Sequence, residues 1–159
     1  MKLANNQQPV QFISGSNDND CILWNISEEN PCLNKLKGHT GGVTVVESIT
    51  SGSGKLTIAT GSADSTIRLW HKVDGEFKDF QILNLKNGFC FAIRMCALPN
   101  TDTILMAVAT DDDKIHLYCD TVNEAGARAF MKIETLLGHE DWVRGLDFVN
   151  DGNMNKPYS

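Results

Sequence analysis

Short runs of β-branched and aliphatic residues alternate with polar, Gly-rich stretches along nearly the whole chain, which predicts strands joined by tight turns. The runs read VQFIS, CILWNI, VTVVESI, KLTIAT, TIRLW, DFQILNL, CFAIRMCAL, TILMAVAT, KIHLY and VRGLDFV. Between them lie SNDND, TSGSGK, SAD, KVDGE, PNTD, TDDD and NDG, made of the residues that set turn geometry. One segment, VNEAGARAFMKIE at 122–134, has helical composition, but its Gly and its short length predict a long connecting loop. The expected fold class is all-β, and no break in composition divides the chain into two domains.

The strand pattern repeats. SGSNDNDCILW (14–24) lies over TGSADSTIRLW (60–70) without a gap, 46 residues apart. Ser14 falls on Thr60, Asp18 on Asp64 and Trp24 on Trp70. A third copy, VATDDDKIHLY (108–118), follows after a further 48 residues. It keeps Asp112, has Tyr118 at the Trp position and carries Val108 in place of the hydroxyl residue. A Gly-His pair stands at 38–39 and again at 138–139, whereas the intermediate copy has only Asn-Gly at 87–88.

These positions resemble WD40 repeats, a family that builds β-propellers from four-stranded blades. In that family a His, a Ser or Thr, an Asp and a Trp of one repeat form a hydrogen-bonded chain. The resemblance implies this chain for His39, Thr60, Asp64 and Trp70. It implies partial versions at Ser14, Asp18 and Trp24, at Asp112, and at His139. The residue types suit the role. An indole N–H only donates, a hydroxyl and a neutral imidazole do both, and a carboxylate accepts. One such group left buried and unpaired costs roughly 1–3 kcal/mol. The spacing therefore reads as a structural staple.

Thr60, His39 and Asp64 also have the composition of a nucleophile, base and orienter. Yet the set comes with a Trp as a fixed fourth member, and the third copy loses hydroxyl and His without losing the frame. No catalytic residue is expected. The acidic run at 111–113 reads as a solvated turn rather than a metal site, so neither metal nor cofactor is expected.

Blades of about 40–45 residues divide the chain into a first blade (10–36) lacking its innermost strand, a second (43–84) and a third (89–137). The innermost strand of a fourth blade (142–149) and a truncated tail (150–159) complete the reading. Such an open arc of about three blades cannot close, and the expectation is a piece of a larger propeller or a truncated gene product.

The order of less common phrases is more specific: GSADSTIRLW, LNLKNGFCFAI, LPNTDTILMAVATDDDKIHLY, then LLGHEDWVRGLDF. Over about residues 10–149 this succession is similar to the first propeller of the family of Elongator second subunits. That resemblance implies a non-catalytic scaffold supporting modification of wobble uridine in tRNA at its 5-position. The implied partners are the large first subunit and the catalytic third subunit of Elongator, with no direct tRNA contact and no small-molecule substrate. The alternative is a generic WD40 adaptor in signalling or ubiquitin-ligase substrate recognition. The family's frame also puts the residues flanking the Val of GHxxxV at the rim of the central channel. Here they are Trp142 and Arg144, with Asp141 beside them, against Gly42 and Thr44 in the earlier copy. An aromatic and a planar cation are types enriched in interfaces.

Bulk composition sharpens this only at the edges. With 159 residues, 42% hydrophobic and 21% charged, the chain can build a real core. A net charge of −6 gives no electrostatic reason to bind nucleic acid or an acidic membrane. The longest apolar run, ILMAVA at 104–109, is too short for a membrane-crossing helix, and Met1 opens no signal-peptide pattern. Five cysteines without Cys-x-x-Cys spacing read as buried reduced thiols, which places the expectation in the cytoplasm or also the nucleus. The NIS at 25–27 is then a chance match to a glycosylation acceptor.

Overall fold

The structure, a computed structural model, describes residues 11–27, 29, 31–86, 88–99, 101–122 and 126–149. They form three antiparallel sheets, as the alternation predicts. The first holds β1 (Gln11–Gly15), β2 (Cys21–Asn25) and β3 (Cys32–Leu36) in that order. The second runs β4 (Val43–Thr50), β5 (Leu56–Ser62), β6 (Thr66–Val73) and β7 (Glu76–Asn84). The third runs β8 (Cys90–Ala97), β9 (Ile104–Thr110), β10 (Ile115–Val122) and β11 (Arg128–Leu136). Among the described residues no helix is long and apolar enough to cross a membrane.

The same turn recurs in all three repeats. Asn19, Ser65 and Asp113 occupy equivalent places with φ of 74°, 63° and 60°, the left-handed region a tight hairpin demands. Two residues upstream of Asp20, Thr66 and Lys114, the repeat's Asp accepts the backbone N–H of that residue: Asp18 at 3.1 Å, Asp64 at 3.0 Å and Asp112 at 3.3 Å. An Asx-turn thus fixes each hairpin locally. Between β6 and β7 the two-residue Asp74-Gly75 turn, both at positive φ, does the equivalent job.

Apolar side chains fill the spaces between neighbouring sheets. Cys21, Leu23, Leu36, Val43, Ile58 and Trp70 pack between the first and second sheets. A larger cluster around Ile67, Leu69, Ile93, Met106, Val108 and Phe130 joins the second and third. Close approach needs small residues on the receiving strand. A Cβ at Gly15 would meet Val43 Cγ1 at 2.6 Å, and one at the equivalent Gly61 would meet Cys90 Cβ at 2.9 Å. Each glycine lets the first strand of the next sheet lie against it.

Three expectations change. Residues 128–134, part of the 122–134 segment read as a loop, belong to strand β11, because Phe130 is buried and the strand pairs with β10 along its length. Tertiary pairing overrides a helix-leaning composition. Residues 142–149, read as an innermost strand, form no strand among the described residues. A strand needs a ladder partner, and here side chains seat the segment instead, Val143 and Leu146 packing with Ala92, Ala109 and Ile115. The thiols are not uniformly buried either: Cys21 and Cys90 are, and burial pushes both up to about 12, but Cys32 is exposed. The expected tail at 150–159 lies outside the described residues.

Candidate interaction site

The second repeat brings His39, Thr60, Asp64 and Trp70 into one chain of hydrogen bonds. Trp70 Nε1–H donates to Thr60 Oγ1 at 2.9 Å, and Thr60 lies 2.8 Å from His39 Nε2. His39 Nδ1 stands 2.9 Å from Asp64 Oδ2. The ends set the direction. A carboxylate only accepts, so Nδ1 carries the imidazole proton and Nε2 accepts from the Thr60 hydroxyl. Every donor then faces an acceptor.

Asp64 closes the chain and the turn at once. Burial raises its carboxyl, but Thr66 Oγ1–H at 2.6 Å, the Thr40 N–H at 2.9 Å and His39 outweigh it and hold the group at about 2. Thr60 is fully buried and Trp70 is 2% exposed. Both partners of the hydroxyl lie inside the protein, so the Thr60 oxygen is fully engaged.

The other copies keep part of this arrangement. In the first, Trp24 Nε1–H donates to Ser14 Oγ at 2.8 Å and stacks on Phe12, while Asp18 serves its turn. In the third, Asp112 accepts from Thr110 Oγ1 at 2.6 Å and lies 2.9 Å from His116 Nε2. Burial raises the Asp112 carboxyl, but Thr110 and His116 more than offset that and keep it low. A sequence reading restricted to the repeat's hydroxyl position misses Thr110, two residues further on. His139 is exposed.

The surface feature with binding character lies at the starts of the first strands. Register slips between Val43 and Val45 and between Cys90 and Ala92 leave Thr44 and Phe91 as bulged residues, the kind of irregularity that re-aims a side chain. Thr44 Oγ1 donates toward the carbonyls of Gly61 and Cys90 at 3.3 Å. Phe91 instead meets Trp142, ring centres 5.2 Å apart. The Arg144 guanidinium sits 4.6 Å from the Phe91 centroid and 5.2 Å from that of Trp142. Asp141 Oδ1 accepts the Trp142 N–H at 2.7 Å. Trp142 remains 49% exposed and Phe89, next to the bulge, 48%.

The structure therefore joins Trp142 and Arg144 to Phe91, which the sequence reading passed over, with Phe89 exposed beside it. The signal was present: Phe89 and Phe91 flank Cys90 as Trp142 and Arg144 flank Val143. It was hidden because that copy lacks Gly-His. Arg94 Nη1 donates to Glu47 at 3.0 Å and Arg94 Nε lies 3.9 Å from Asp147, so β4, β8 and the 142–149 segment are also linked by charge. Among the described residues no group of three His, Cys, Asp or Glu side chains could hold a metal ion.

Residues 30–71 match the WD40 family, described as WD domain, G-beta repeat. The chain is 41% identical over 148 residues to Elongator complex protein 2 of Drosophila melanogaster, covering 89% of this chain and 19% of that protein. To Elongator complex protein 2 of Homo sapiens it is 38% identical over 150 residues, covering 90% and 17%. It is also 28% identical over 134 residues to the WD repeat-containing protein 26 homolog of Arabidopsis thaliana, covering 77% and 22%. The chain spans about a fifth of the length of these curated relatives.

Proposed function

We propose that this chain, whose residues 30–71 match the WD40 family, acts as a non-catalytic scaffold within an Elongator complex. In this reading it helps hold the large first subunit and the catalytic third subunit, which modifies the wobble uridine of tRNA at its 5-position. The supporting observation is the contrast between two constellations. In the Thr–His–Asp set Thr60 and His39 are buried and all three are internally hydrogen-bonded, whereas Phe91, on the bulged start of β8, forms a half-open aromatic and cationic cluster with Trp142 and Arg144. Half-exposed Trp and Arg are the side chains that carry binding energy in interfaces. The generic adaptor is not favoured, since Elongator-named relatives match at up to 41% identity against 28% for the other WD protein.

Replacing Trp142 and Arg144 by Ser in the complete protein tests this. The melting temperature is expected to stay nearly unchanged while co-purification with the first or third subunit weakens. A variant that melts much earlier yet assembles normally at low temperature would assign the cluster to folding instead.

A further inference from the structure

At the end of the sheets remote from Trp142, the second and third do not close on each other. A cleft of about 310 Å³ opens between the β4–β5 turn, the end of β6 and the adjoining ends of β10 and β11. Lys55, His71, Asp120 and Arg128 supply its polar wall, and Phe80, Ile104 and Phe130 its apolar one.

Four buried side-chain polar atoms among the described residues lack a hydrogen-bond partner. Three of them line this cleft: His71 Nδ1, Asp120 Oδ1 and Arg128 Nε. Buried polar atoms are nearly always paired, so two unpartnered atoms, with Arg128 Nε met only by the Asp120 carboxylate, mark a place shaped for a polar occupant. Asp120 is only 7% exposed; its Oδ2 stands 3.3 Å from Arg128 Nε, while Oδ1 accepts nothing. The Arg128 side chain is held in place by Nη2–H donating to the Asp102 carbonyl at 2.9 Å.

Charge narrows the occupant. It must donate to Asp120 Oδ1 and also answer two cations, Lys55 and Arg128. A simple cation is repelled by that pair, and a phosphate dianion is repelled by the buried carboxylate. An ammonium and a carboxylate on one carbon satisfy both demands. His71 fits between them: burial, with Lys55 nearby, lowers its imidazole, and a neutral ring can accept from one group or donate to the other. The Phe80 ring, packed on His71 at 4.6 Å, extends the apolar wall.

We propose that this cleft binds a free α-amino acid with an apolar side chain, its ammonium on Asp120 and its carboxylate on Lys55 and Arg128. The site is independent of the scaffold reading, because it uses none of the residues of the Trp142 cluster.

The test uses three probes with the full chain: L-leucine, N-acetyl-L-leucine and L-leucinamide, each at up to about 10 mM, a range that detects weak binding. Saturation-transfer NMR on the leucine methyls and the melting temperature are the readouts. L-leucine is expected to receive saturation and to raise the melting temperature, with each masked probe about tenfold weaker or worse. Lys55→Ala removes an exposed side chain, so it serves as the variant that still folds; it and Asp120→Asn should both weaken L-leucine binding. The proposal is overturned if the masked probes bind as well as L-leucine, or if Lys55→Ala binds it unchanged. It is equally overturned if L-leucine gives neither signal with protein whose circular dichroism shows folded sheets.

Discussion

At Thr60 one hydroxyl accepts the Trp70 indole proton and donates to His39, so any change in the set strands a neighbour. Trp70→Ala removes an aromatic body that is 2% exposed, and should cost roughly 3–5 kcal/mol. Trp24→Ala removes a half-buried ring whose contacts are Ser14 and Phe12, and should cost clearly less. Denaturant melts of the two variants compare them directly; equal losses would mean that the repeat frame is misread. Asp64 gives a pH signature. Its folded pKa of about 2 lies below the ordinary 3.8, so its contribution is complete above the higher value and is lost as pH falls through the lower. The Asp64→Asn variant should therefore be less stable near neutral pH. Its melting temperature should also fall less steeply than that of the parent between about pH 4 and 2.

Strands and hairpins add a second layer, and β11 shows how it works. It is the outer strand of its sheet, with an unprotected backbone edge. Gln81 on β7 covers part of that edge: its Nε2–H donates to the Phe130 carbonyl at 2.9 Å, and its Oε1 accepts the Phe130 N–H at 2.7 Å. One side-chain amide thus mimics a paired strand and clasps two sheets. Gln81→Leu leaves both backbone groups unpaired and should cost roughly 1–3 kcal/mol. Hydrogen exchange at the Phe130 amide should accelerate more than at the Ile93 amide; equal protection in parent and variant would remove the clasp. The tight turns that join the strands are specified more cheaply, by an Asp and a left-handed residue next to it.

Taken together, the sheets stack side by side, and each covers one face of the next. Apolar residues left uncovered include several on the outer strand β11 and beyond it: Met131, Ile133 and Leu137 are 56%, 53% and 75% exposed, and Val149 is 90% exposed. Apolar surface next to a strand edge favours self-association. Purified alone, the chain is expected to form oligomers at micromolar concentration by light scattering. A monodisperse monomer with a cooperative calorimetric melt would show that this surface is not sticky.

Local chemistry made much of this legible. Alternating runs marked the strands other than β3 and β11, and the repeat at 14–24, 60–70 and 108–118 marked the hairpin turns, because Asp and its left-handed neighbour act within three residues. The resemblance to WD40 repeats named the side chains that meet, and antiparallel pairing of β5 with β6 is what brings Trp70 to Thr60. What the sequence could not decide depends on a neighbour distant in the chain. Segment 128–136 becomes a strand only because β10 and Gln81 receive it. Residues 142–149 form no strand because none of the described residues pairs with them. Phe91 joins Trp142 and Arg144 only after a bulge turns it toward them, and the cleft around Asp120 exists only where two sheets stop short of contact. Hairpins are set by energies a few residues apart, while clefts and clusters are set by how finished sheets pack, which no local spacing records.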